Sequence, residues 1–359
     1  MNLDNEKKLS NGLTVAVDWI SFTFQNHMSW FDVADLFGIP TKQFQTGLIG
    51  SYGYKTRVRH MIYPISILYD GSKDMGIHID VPGSAVDFLL DCYCKKYLTI
   101  TPFNTYAYEV ESFDQKASAL SDVMEMILNH GKLTRLDLSI DDMESKYYTM
   151  PELREIFSKG NYSSRFKKYR IIYEGGKNEN GDCFVSGETI YLGSRKSELM
   201  FRIYNKQLER SAKKHESISH SWVRWEIELH RDRASYVASL IAGGKCVADA
   251  ALGILSNYLR LTVKDNSRGS RCSTSEKWIA FLNDVEKARL YMPPSKKTLA
   301  EKRDWVIKQV APTLAAIYHA DGDLGFVYSV INSGTDRMSL ELKQMVEEYL
   351  NGLAEGVAT

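Results

Sequence analysis

Residues 189–209 read TIYLGSRKSELMFRIYNKQLE, and the period of this stretch decides how the rest of the chain is read. Residues 189–192 suit a short strand, and GSRKS at 193–197 has the Gly and Ser punctuation of a turn. A second strand is predicted over 198–206. There Leu199, Phe201 and Ile203 alternate with Met200, Arg202, Tyr204 and Lys206. Because strand side chains alternate between faces, Arg202, Tyr204 and Lys206 project together from one side. A tyrosine with a cation two residues away on either side is an unusual thing to build on a strand. Taken alone it also fits a half-exposed ring beside long side chains that keep their charges in water.

Two further stretches repeat the alternation with acids. In RLDLSID at 135–141, Asp137 and Asp141 share one face, and in RWEIELH at 224–230, Glu226 and Glu228 share one face. Leu136, Leu138, Ile140, Trp225, Ile227 and Leu229 fill the opposite sides. Either strand alone reads as the edge of a core with one wet face. Side by side they gather up to four carboxylates on one sheet surface, and like charges that close repel unless a cation intervenes. An all-oxygen carboxylate set suits Mg²⁺ or Mn²⁺, the ions that bind phosphates. A tyrosine hydroxyl, with a pKa near 10, is a poor nucleophile at neutral pH. Arg202, Lys206 and a metal nearby are expected to favour its phenolate. Tyrosine attack on a phosphodiester keeps the energy of the broken bond in a protein–nucleotide ester, whereas attack by water loses it. The pattern therefore points to a nick that is resealed. His230 ends the Glu226–Glu228 strand on the same face, as a metal ligand, a proton carrier or a structural histidine.

The same order of elements occurs twice. Strand 13–24 has Asp18 in its middle, and is followed by a helix at 30–37, strands at 52–61, 65–69 and 75–81, and a helix at 85–92 capped by Ser84. Strand 132–141 has Asp137 in its middle, and is followed by a helix at 150–158, strands at 168–174, 188–192, 198–206 and 222–230, and a helix at 233–241 capped by Asp232. This reads as a diverged duplication of an α+β unit: antiparallel sheets covered by helices, in two pseudo-repeated halves. Residues 1–131 form a non-catalytic half that supports DNA binding, and 132–243 the catalytic half. After Gly243-Gly244 the texture turns helical, with helices predicted at 247–261, 276–290, 298–318 and 337–353. The last carries Met338, Leu342, Met345, Val346, Tyr349, Leu350 and Leu353 at helical spacing, which reads as core or a partner surface, with buried core preferred. Residues 244–359 are expected to serve DNA specificity or oligomerisation, through the basic loop KDNSRGSRCSTS at 264–275 with Lys264, Arg268 and Arg271.

Composition excludes little: 359 residues, 44% apolar, 25% charged and a formal net charge of zero. The charge is unevenly spread, since residues 159–214 carry thirteen Lys and Arg against six Asp and Glu. A basic segment around the tyrosine strand, in an otherwise acidic chain, fits a polyanion guided to one face. No apolar run is long enough to cross a bilayer, and the polar start MNLDNEKKLSNG does not read as a signal peptide. Five unpaired-looking cysteines with no zinc spacing suit a reducing cytoplasm.

At TRLDLSIDD (134–142), YLGSRKSELMFRIYNKQLE (191–209) and VRWEIELHRDRA (223–234) the chain resembles the replication initiation factor (Rep_trans) family. That family comprises rolling-circle plasmid initiators and the MobT-type relaxases of conjugative elements. VDWISFTF and GSKDMGIHIDVPG in the first half are similar to it as well, so the resemblance spans about residues 13–245. It implies that Tyr204 is the nicking nucleophile, joined to the 5′ end of the cut strand. It implies that Asp137, Glu226 and Glu228 are metal ligands, with Asp141 a further candidate. It also implies that Arg195, Lys196, Arg202 and Lys206 hold the DNA backbone. A helicase or coupling protein and a homodimer are the partners it suggests besides DNA. Many rolling-circle nickases use a His-x-His pair for metal, and none exists here, so the carboxylates must carry the site. The alternative is an origin-binding protein that uses the same basic face without catalysis.

Overall fold

A computed structural model describes residues 7–24, 28–98, 113–177, 179–214, 218–266, 268 and 271–282, and most of 302–350. The first half contains β1 (Lys7–Lys8), β2 (Thr14–Phe24), α1 (Trp30–Leu36), β3 (Phe44–Ile49), β4 (Thr56–His60), β5 (Ser66–Tyr69), β6 (Ile77–Pro82), α2 (Ala85–Tyr93) and α3 (Phe113–His130). The second contains β7 (Gly131–Met143), α4 (Met150–Lys159), β8 (Tyr162–Ser164), β9 (Tyr169–Lys177), β10 (Cys183–Gly193), β11 (Leu199–Asn205), α5 (Lys206–Lys214), β12 (Trp222–His230) and α6 (Arg231–Ala242). Then come α7 (Val247–Tyr258), β13 (Leu259–Leu261) and α8 (Glu276–Leu282).

The strands form one antiparallel sheet in the order β3-β4-β5-β6-β2-β7-β12-β11-β10-β9, with β1 also on β2. Each half uses the same order: the leading strand, the last strand beside it, and the others stepping back outward. The halves are therefore two copies of one topology, as the sequence pattern suggests. They are not separate sheets, however. β2 and β7 pair antiparallel, with Val15 opposite Ile140 and Trp19 opposite Asp137, and join the copies edge to edge. Pairing hides two long strand edges whose N–H and C=O groups would otherwise face water. The copies also share a detail of backbone: where the last strand hands over to its helix, Gly83 (φ 54°), between β6 and α2, and Arg231 (φ 51°), the first residue of α6, both turn through the left-handed region.

One face of the sheet is apolar. Ile20, Phe22, Leu136, Leu138, Ile140, Trp225, Ile227 and Leu229 are buried there, beneath Val123, Val237, Ala238, Ala251 and Leu252 of α3, α6 and α7. Small residues let α7 lie close to the strands. Residues past the Gly243-Gly244 break complete this core. Trp278 and Phe281 of α8 stack on each other with centroids 5.3 Å apart, and Phe281 lies 5.1 Å from Trp225. Truncating such a buried tryptophan costs about 3–5 kcal/mol.

The compact unit accordingly runs Met1–Tyr291, and Met292–Thr359 forms a second. The second contains a π-helical turn at Val306–Val310, α9 (Ala311–Asp321) and α10 (Gly325–Thr335). Its closing apolar stripe is not the core that its spacing suggests. Met345 is buried, but Met338, Val346, Tyr349 and Leu350 are exposed. The expected helical residues 283–290 and Leu353 lie outside the described residues. No described helix is long and apolar enough to cross a membrane.

Three local expectations change. Ser84 makes no side-chain cap, and α6 starts at Arg231 with His230, not Asp232, in the capping position. The helix expected over 247–261 ends at Tyr258, where the chain turns into β13 to pair with β8. Where capping does occur it is complete: Thr149 and Glu152 exchange side-chain and backbone hydrogen bonds at the start of α4, with Pro151 in the first turn.

Candidate active site

The polar face of the second half is built in rungs across β11, β12 and β7. Tyr204 lies opposite Arg224 and Arg224 opposite Asp141. Arg202 lies opposite Glu226 and Glu226 opposite Ser139, and Met200 opposite Glu228 and Glu228 opposite Asp137. The period-two pattern of the sequence thus brings Tyr204, Arg202, Glu226, Glu228, Asp137 and Asp141 onto one surface. All four acids are buried.

One oxygen each from Asp137, Glu226 and Glu228 lies within 4.8 Å of the others. Glu226 Oε2 is buried and has no hydrogen-bond partner. Three converging carboxylates with an unsatisfied buried oxygen fit a hard divalent cation. Two guanidinium groups and an imidazole occupy the remaining acceptors. Arg135 donates to Asp137 at 2.9 and 2.5 Å and to Glu228 at 3.3 Å, and Arg202 donates to Glu226 Oε1. His230 donates to Glu228 Oε1 at 2.8 Å. Burial pushes the Asp137 carboxyl well above its usual range, with Glu226 adding to the effect and Arg135 opposing it. Burial would raise Glu228 too, but the bond from His230 and the charge of Arg135 outweigh it and hold it low.

Asp141, expected among the ligands, has another role. Arg224 grips both its oxygens at 2.7 Å, and Trp222 Nε1 donates to it at 2.7 Å. The third arm of Arg224 reaches across the seam to Asp18 of β2, also at 2.7 Å. Arg224, Arg135 and Asp18 are the site residues that the sequence reading missed. Arg224 and Arg135 lie on the same alternation as the acids, which was the available signal.

The phenol faces this surface yet is closed off, with Tyr204 only 6% exposed. Lys206 Nζ donates to its oxygen at 3.3 Å and to Glu209 at 2.6 Å. Lys206 and Arg202 each place their charge 5.4 Å from the ring centroid. The expected phenolate is not what these neighbours give. Burial pushes the phenol well above its ordinary value and Glu226 pushes it further, with Arg224 opposing. Both flanking cations are committed to acids: Arg202 to Glu226, Lys206 to Glu209. Burial, and then the charge of Arg224, also lower the Lys206 ammonium.

Of the expected DNA contacts, Arg195 and Lys196 are exposed on the turn between β10 and β11, with Arg195 5.9 Å over the Tyr191 ring. Lys264, Arg268 and Arg271 are exposed on a loop closed by the Thr262–Thr274 bridge and by Asp265, which accepts from the Ser273 N–H. Among the described residues these three make no contact with the acid cluster.

Residues 131–337, which include β7, β11 and β12, match the family described as Replication initiation factor. The chain belongs to that family. Residues 14–103, within the first half, match the description Rolling Circle replication initiation protein N-terminal domain. Over 99% of its length the chain is 27% identical to a Bacillus subtilis (strain 168) protein named "Putative DNA relaxase NicK", covering 95% of that protein. Among solved structures it is similar to a rolling circle replication initiator protein from Geobacillus stearothermophilus. The TM-score is 0.59 at 27% identity, over 76% of this chain and 97% of that one.

Proposed function

We propose that this chain nicks and rejoins one strand of DNA at the origin of a rolling-circle plasmid or conjugative element, with Tyr204 as nucleophile. The observation that carries the reading is the rung arrangement, in which one phenol, its cations and three converging carboxylates share a sheet face. Asp137, Glu226 and Glu228 would hold Mg²⁺ or Mn²⁺, which when bound polarises a phosphate and offsets charge growing on its oxygens. Tyr204 Oη attacks the phosphorus and the bond to the 3′ oxygen breaks. This leaves a 5′-phosphotyrosine and a 3′ oxygen that takes a proton from solvent water to become a free 3′-OH. The phenol proton passes to Lys206 as Lys206 gives one to Glu209, along the contacts at 3.3 and 2.6 Å. Neutralising Glu226 removes the largest charge opposing the phenolate and frees Arg202 for the phosphate. Arg224 stays fixed by Asp141 and Asp18 and keeps the phenol's strand in place.

In this reading Arg195 and Lys196 hold the DNA backbone, while Lys264, Arg268 and Arg271 contribute to choice of site. The first half supports the strand, and residues 244–359 serve specificity or pairing of two copies. A helicase or coupling protein would take over the opened strand.

The test is a supercoiled plasmid bearing the cognate origin, incubated with the protein and Mg²⁺ or Mn²⁺. Relaxed plasmid and a covalent protein–DNA adduct are expected, both lost in Tyr204→Phe. If Tyr204→Phe nicks as well as the parent, the nucleophile is wrong. Origin binding with neither adduct nor metal dependence would instead support the non-catalytic reading, which the closed phenol favours.

A further inference from the structure

A cavity of about 290 Å³ opens on the polar face of the first half, between β2, β6, β7 and the β3–β4 hairpin. Its walls are ring-rich. Tyr54 stacks on His78 with centroids 6.2 Å apart, Tyr52 meets the same imidazole edge-on at 6.1 Å, and Trp19 lies beneath the Arg135 guanidinium at 4.2 Å. Tyr52 is the odd member. It is 76% exposed and sits in the left-handed region at φ 55°, on the tip of a tight turn where Tyr54 N–H bonds Ser51 O. A bulky residue held there costs free energy that no packing repays, which marks a ring displayed for contact.

The polar atoms of the cavity are half used. Asp80 Oδ1 accepts from Ser21 at 2.5 Å and from His78 at 3.3 Å, while Oδ2 has no partner among the described residues. Thr134 Oγ1 also lines the cavity, buried and unbonded. Two walls belong to the acid cluster as well: Arg135 bonds Asp137 and Glu228, and His230 bonds Glu228. A phosphate over the cluster would therefore carry its neighbouring nucleotide to the mouth of this cavity.

We infer that the cavity is a subsite for one unstacked nucleobase of the DNA strand, stacked on Tyr52 and read by Asp80. The inference rests on the nicking reading above and deepens it. The volume suits a ligand smaller than a whole cofactor. Exposed rings beside a cation are how proteins hold single-stranded bases. A carboxylate oxygen open to the cavity accepts from a base with an exocyclic amino group, so thymine, which has none, is the poorest fit.

Fluorescently labelled dodecamers of dT, dC and dA, titrated with the full chain in EDTA and followed by anisotropy, test this without any cleavage. The dC and dA strands are expected to bind several-fold tighter than dT. Tyr52→Ala should weaken them about fivefold to hundredfold, the loss of one stacked base. Tyr52→Phe should retain binding, and Asp80→Ala should bring dC and dA down to the dT level. Thermal melting confirms that each variant is folded, and Tyr52 contributes nothing to the core. If folded Tyr52→Ala and Asp80→Ala bind all three strands as the parent does, the subsite is refuted, even with the Tyr204 adduct intact. If these binding changes appear while no Tyr204 adduct ever forms, the nicking reading fails and the subsite stands.

Discussion

Replacing Arg224 by Met is the sharpest test of how the site is held together. Arg224 is 2% exposed and makes three hydrogen bonds at 2.7 Å with acids from two other strands, two to Asp141 and one to Asp18. Methionine fills much of the volume but leaves two carboxylates facing each other without a cation. Breaking a buried pair by removing one partner costs about 3–5 kcal/mol. At about 2–4 °C per kcal/mol for a unit of this size, the melting temperature should fall by about 6–20 °C. The pH dependence has a definite sign. Burial already raises the Asp18 carboxyl, and Arg224 is the largest influence holding it down, so the variant raises it further. A carboxyl whose folded pKa lies above its unfolded one destabilises the fold when charged and stops doing so as pH falls through the folded value. The deficit should therefore be largest near pH 8 and shrink in mild acid, as read by urea and thermal unfolding at both. Adding Asp141→Asn should recover part of the loss, giving a coupling energy above about 1 kcal/mol. A deficit below about 1 kcal/mol, or one that grows in acid, would refute the reasoning.

Two further outcomes can be checked with the purified chain, beside the Tyr204 and Tyr52 variants above. Mn²⁺ or Mg²⁺ should raise the melting temperature, by about 2.7 kcal/mol of stabilisation at a hundred times the dissociation constant. Glu226→Gln should abolish the increase in calorimetry. Burial pushes the Cys92 thiol up to about 11, so it should resist iodoacetamide at pH 8 in the folded chain, while exposed Cys183 is alkylated. Mass spectrometry showing Cys92 labelled first would contradict the fold around α2.

The three carboxylates that converge were legible because strand alternation is a strict period. Once 135–141 and 224–230 are strands with apolar backs, Asp137, Glu226 and Glu228 can only face the other way. What alternation cannot give is pairing across the chain. Asp18 sits at a register shift between Val17 and Trp19, and only the β2–β7 seam brings it within reach of Arg224. Nothing local marks Asp141 as Arg224's partner rather than a metal's, since the two lie on strands 83 residues apart. The state of the phenol escapes the sequence for the same reason: Arg202 and Lys206 look free there, but Arg202 is held by buried Glu226 and Lys206 by half-buried Glu209. The helix α3 has a plain stripe in Leu120, Val123, Met124 and Ile127, which a reading centred on strands passes over.

The matched left-handed turns at Gly83 and Arg231 fix a correspondence between the halves. Three and five residues before the turn, β12 has Glu228 and Glu226, and β6 has Asp80 and His78. The base-sized cavity is thus the counterpart of the acid cluster, with the His78 imidazole at the offset that Glu226 holds in the second half. A fold made by doubling inherits a redundant copy of its reactive surface, and redundancy lets that copy lose chemistry without losing shape. Cutter and sensor would then be siblings, set at a fixed spacing by the strand pair that joins them, and no insertion between the halves could alter that spacing without unzipping the sheet.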